Sequence, residues 1–112
     1  MKATTCRLPV NRILTSEVED IMKNCGLIDL LYEREFFGDA LDYANRETGK
    51  AKLQFAQLQA IESLIPYLGA HPLVKDKLKG VTHGDVRDAV IQGFATLIVM
   101  YGIHLRNLKF WD

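Results

Sequence analysis

"DAVIQGFATLIVMYGIHLRN", residues 88–107, contains seventeen consecutive residues, 89–105, whose only ionisable group of ordinary charge is His104. Such a stripe can cross a membrane, fill the chain's own core or meet a second subunit. As a helix it would span roughly 25 Å, short of a typical ~30 Å hydrocarbon core, and Gln92, Thr96 and His104 interrupt its apolar character. No membrane association is expected. The segment "ATLIVMY" is rich in β-branched residues and is the one serious strand candidate. Through it, however, Val86, Val90, Phe94, Leu97, Tyr101, Leu105 and Leu108 recur with helical period, and only the single glycines 93 and 102 stand near it as turn signals. The spacing predicts a helix opened by Thr82, with Asp85 three residues on. A helix apolar all round is normally enclosed by protein. The choice left is between core and interface.

Upstream, helix punctuation dominates. In "SEVEDIMKNCG" Ser16 and Glu19 form a capping box, Val18, Ile21, Met22 and Cys25 share a face, and Gly26 is a natural stop. "DLLYEREFFGDALDYANRETG" predicts a helix from Asp29 to Gly49 with Phe36, Phe37, Ala40, Leu41 and Ala44 inward and an Asp42 to Arg46 pair at i, i+4. In "KAKLQFAQLQAIESLIPYLG" the stripe is Ala51, Phe55, Leu58, Ile61, Ile65 and Leu68, with Pro66 expected to kink or end the helix. "HPLVKDKLKG" has Pro72 at a first helical position and Gly80 just beyond the end. Residues 1–14 read as an extended arm in which Leu8-Pro9 prevents an early helix. The expected architecture is all-α: one domain over residues 1–112, a compact bundle of four or five helices with an extended N-terminal arm.

Composition agrees with a globular chain that needs no staple. The 112 residues are 48% hydrophobic and 25% charged with three prolines, enough for one core. Cys6 and Cys25 match no redox or zinc spacing, and "MKATTCRLPVNRIL" lacks the apolar centre of a signal peptide. A cytoplasmic setting with reduced thiols is the expectation. Net charge is zero but uneven: +3 over residues 1–15, −6 over 16–47 and +3 over 48–112. Such asymmetry can guide docking within the chain or onto a partner, and the favoured reading of the acidic part is a solvated face.

No HExxH, GxSxG or phosphate-binding glycine loop is present, and His71, His83 and His104 are far apart in sequence. No catalytic residue, metal site or cofactor is assigned, and an enzyme is the less favoured reading. Glu35, Asp39 and Asp42 form an acidic ridge at i, i+4 and i+7, read as a solvated face. Of the bases Lys75, Lys77 and Lys79, only the first and last share a helix face.

"DKLKGVTHGDVRDAV" resembles the centre of a helix-turn-helix, with Gly80 at the turn, Thr82 as cap and Val86 packing back. That resemblance implies nucleic-acid contact through Lys75, Lys79, His83 and Arg87. Asp76 departs from it where a small apolar residue is expected, and Asp85 and Asp88 would repel phosphates. "KLKGVTHGDVRDAVIQ" is similar to a helix-turn segment of the carboxymuconolactone decarboxylase and alkylhydroperoxidase families. Their redox members carry a CxxC pair near a histidine. Here "YLGAHPL" supplies His71 and no cysteine, so no reaction carries over.

The leading expectation is a protein that acts by macromolecular interaction, as a homodimer through the 89–105 helix with Phe94, Leu97, Ile98, Tyr101 and Leu105 at the interface and with a further protein partner. One alternative is nucleic-acid binding through a degenerate helix-turn-helix at 72–90. The other is a small-molecule or enzyme pocket formed by Glu62, Tyr67, Tyr101 and His104, where Glu62 would satisfy the imidazole.

Overall fold

The computed structural model describes residues 16–48 and 53–104, with the side chains of 16–47 and 57–102. Every element among them is helical: α1 Ser16–Asn24, a 3₁₀ helix Leu27–Tyr32, α2 Arg34–Thr48, α3 Leu53–Ala70, α4 Pro72–Lys77 and α5 Gly84–His104. The all-α bundle expected from the spacing is the fold observed. The 1–14 arm, Cys6, Ala51, Leu105 and Leu108 lie outside the described residues.

Glu17 and Glu19 in the first turn of α1 and Lys23 in its last complement the helix dipole. Val18 and Met22 are buried, with Ile21 and Cys25 half-buried beside them. The Cys25 thiol donates to the Met22 carbonyl at 3.7 Å. Gly26 then takes φ 85°, its N–H donating to the Lys23 carbonyl at 3.2 Å, and the helix stops.

The run from Asp29 is not one helix. Leu27, Leu30 and Leu31 are all buried by a 3₁₀ helix, and Glu33 is extended at φ −82°, ψ 107° before α2 begins. The tighter winding brings residues three apart onto one side, which suits this leucine spacing. Along α2, Phe36, Phe37, Ala40, Leu41 and Ala44 are buried as expected, and Glu35, Asp39 and Asp42 are exposed.

Helix α3 passes through Pro66 and runs on to Ala70. Pro66 is exposed, so its ring lies on the outer face, and Leu64 and Leu68 are buried on either side of it. Packing of the inner face outweighs the missing N–H. Of the expected stripe Ile61 and Leu68 are buried and Ile65 packs against the core, Ala60 and Leu64 join them, and Leu58 departs from it at 50% exposure.

Helix α5 supplies the centre. It packs against α1, the 3₁₀ helix, α2 and α3. Val90, Ile91, Phe94, Ala95, Thr96, Ile98 and Val99 are all buried, as are Gly93 and Gly102. Thr96 resolves its own polarity by donating its hydroxyl to the Gln92 carbonyl at 2.9 Å. The "ATLIVMY" segment is therefore helical, with Ala95, Thr96, Ile98 and Val99 enclosed by the rest of the chain and Met100 and Tyr101 at its exposed end. Among the described residues, no helix is long and apolar enough to cross a membrane.

Candidate functional site

Two surface-reaching aromatic groups grow out of this core. The first crosses from α5 through α2 to the end of α3. Phe94 stacks with Phe36 at 6.0 Å, Phe36 meets the His71 ring edge-on at 4.8 Å, His71 meets Tyr67 at 5.7 Å, and Tyr67 stacks on Tyr43 at 4.6 Å. The Arg46 guanidinium lies 5.9 Å from the Tyr43 ring centre. Phe36 and Tyr43 are seven apart on α2, two turns along one face, which is why both meet the same neighbours.

His71 is fixed by a second role. It caps α4, its Nδ1 accepting from the Leu73 N–H at 3.2 Å, with Pro72 in the first turn. When neutral, the imidazole thus carries its proton on Nε2. Burial pushes the Tyr67 hydroxyl above its ordinary range, and the Asp39 carboxylate pushes it further, against an opposing pull from Arg46. Tyr67 is a protonated hydrogen-bonding group at neutral pH. The array offers stacking faces and hydrogen bonds rather than an activated nucleophile.

The second group lies at the far end of α5. Tyr101 meets Phe37 edge-on at 6.3 Å. Its hydroxyl is raised above the ordinary tyrosine range, first by the hydrogen bond shared with Tyr32 and then by that residue's charge when ionised. Leu97, Met100 and Tyr101, at i, i+3 and i+4, share one face of α5. Tyr32 is 75% exposed, Met100 46% and Tyr101 38%, with Leu97 half-buried.

The expected site residues distribute unevenly over this frame. Phe94 and Ile98, read as interface, are fully enclosed by their own chain and offer nothing to a second subunit. Leu97 and Tyr101 remain accessible, and Leu105 lies outside the described residues. The expected pocket is not gathered: Tyr67 belongs to the array with Tyr43 and His71, Tyr101 to the group with Phe37 and Tyr32, and Glu62 is exposed on α3. The His104 side chain lies outside those described.

Lys75, Lys79, His83 and Arg87 are exposed at the α4–α5 corner. The helix begins at Gly84 rather than Thr82, and the His83 carbonyl accepts from the Arg87 N–H at 3.0 Å. Asp76, exposed rather than buried, pairs with Lys79 at 3.4 Å, so one of the four bases already faces a carboxylate. Lys77 folds back over Gly26, its Nζ 3.4 Å from where a β-carbon would stand.

Among the described residues, no three of His, Cys, Asp and Glu are placed to hold a metal ion. Two clefts open on α5. One of about 350 Å³ is lined by Ile65, Gly69, Asp88, Ile91 and Gln92. The other, of about 440 Å³, lies between α1 and α5. Neither includes a residue of the expected pocket. No protein family, no curated protein and no solved structure matches this chain.

Proposed function

We propose that this is a cytoplasmic interaction protein that pairs with a second copy of itself through the outer face of α5 and there, or beside it, receives a protein partner. The observation that carries the reading is the cluster of Tyr32, Met100 and Tyr101, three large side chains exposed together next to half-buried Leu97. Tyrosine and methionine are enriched in association surfaces because each buries a large area, and tyrosine adds a hydroxyl that can be satisfied at a rim. A twofold dimer would place this patch against itself. The reading keeps the self-association inferred from the 89–105 stripe but moves it from Phe94 and Ile98 to the residues that their burial leaves outside. The free Cys25 thiol accords with a reducing compartment.

Light scattering over a hundredfold range of concentration, at low and high salt, tests the pairing. The expected result is a mass near twice 12.7 kDa that persists in salt and falls to the monomer in Met100→Asp and Tyr101→Asp. Both positions are exposed, so circular dichroism should show either variant folded. A wild-type chain monomeric throughout the range would overturn the reading.

A further inference from the structure

The cleft between α1 and α5 combines an apolar floor with an acidic rim. Its floor is Val18, Ile21, Val86 and Ala89, and its rim is Glu17, Asp20 and Asp85. Val18 is buried, the other three floor residues are half-buried, and all three carboxylates are exposed. Among the described residues no base lines the opening, which therefore presents apolar surface within three negative charges. A matching occupant would be a short basic segment carrying aliphatic side chains.

We propose that the occupant is the chain's own residues 1–15. This segment contains Lys2, Arg7 and Arg12 and no acid, a formal +3 against the rim's three carboxylates, together with Leu8, Val10, Ile13 and Leu14 for the floor. Its attachment point is suitable, because α1 starts at Ser16, one residue before the first lining position, Glu17. Its reach is ample: fifteen residues extend to roughly 50 Å, whereas the lining stretches 17–21 and 85–89 each rise only about 6 Å along their helices. Attachment in the same chain gives a high effective concentration, so a modest intrinsic affinity suffices to fill the cleft. The inference stands apart from the pairing surface, which lies at the other end of α5.

Cys6 makes the proposal measurable. In the full chain carrying Cys25→Ser, a nitroxide placed on Cys6 is expected to at least halve the NMR intensities of Val86 and Ala89. Those two residues are the informative ones because they are remote from the arm in sequence. Reversing the rim with Glu17→Lys, Asp20→Lys and Asp85→Lys should restore at least half of the lost intensity, as should 1 M salt, where screening falls to about 3 Å. Tenfold dilution of labelled chain into unlabelled chain separates the arm's own cleft from that of a second copy. Broadening retained per labelled molecule supports the proposal, and transfer to the unlabelled chains overturns it. Intensities at Val86 and Ala89 unaffected by the label, or broadening indifferent to rim reversal, also overturn it. All three rim residues are exposed, and circular dichroism of the triple variant confirms that the loss is not one of fold.

Discussion

Gly26 holds the turn between α1 and the 3₁₀ helix through a backbone conformation that side chains disfavour. At φ 85° a β-carbon carries about 1–2 kcal/mol of steric cost, and Lys77 already occupies the space beside it. Gly26→Ala is expected to lower the unfolding free energy by about 1 kcal/mol, read as a lower urea midpoint at unchanged slope. Gly38 is the opposite case. It lies within α2, nothing stands within 4 Å of its would-be β-carbon, and Gly38→Ala should raise stability by about 0.5–1 kcal/mol in the same assay. The Tyr67 hydroxyl sets an alkaline limit. Its folded value lies above the ordinary 10.0, so its contribution is complete below pH 10 and is lost as pH rises from there through the folded value. Tyr67→Phe should flatten the decline of stability above pH 10, although Tyr101 shifts in the same direction and keeps part of it.

At the scale of elements, legibility followed local chemistry. The stop at Gly26, Pro72 at the start of α4 and the inward set Phe36, Phe37, Ala40, Leu41 and Ala44 could be read from neighbouring residues, because each depends on contacts within one helix or one turn. The 3₁₀ helix has no sequence signal of its own, since Leu27, Leu30 and Leu31 fit a spacing that also occurs on an α-helix. Pro66 does not end the helix for a related reason: the cost of its missing N–H is local, but the burial of Leu64 and Leu68 that offsets it is tertiary. The stacking of Tyr43 on Tyr67 had no sequence signal at all, because the rings sit on different helices whose rotation fixes the contact. For His71 the sequence leaves a cap and a surface position open, and the structure makes it a cap. Its position before Pro72 was the available clue to a cap.

For the whole molecule, the question raised by the 89–105 stripe has a divided answer. The middle of α5, Val90 to Val99, is core apart from half-buried Gln92 and Leu97, and Met100 and Tyr101 just beyond it are surface. Phe94→Ala should therefore cost about 3–5 kcal/mol, a large part of the stability of a domain this size, by opening a cavity where α5 meets α2. Met100→Asp should leave the unfolding midpoint of the isolated monomer nearly unchanged while altering mass. Comparing these two variants separates the buried middle of the helix from its exposed face by measurement, a separation the unbroken hydropathy of the stretch conceals.

The helix that fills the centre is also the last in chain order among the described elements. During synthesis, α1 to α4 emerge with Met22, Leu27, Leu64 and Leu68 facing a space that nothing yet occupies. At translation rates of about 5–20 residues per second, the twenty-one residues of α5 add roughly one to four seconds to that wait. Ribosome-stalled chains ending before Gly84 should be digested readily by protease, and full chains stalled on an appended flexible linker that lets Val99 leave the ribosome should resist. Completion of the bundle is thus a late event in the life of the nascent polypeptide, and the interval before it is when a chaperone would find the most to hold.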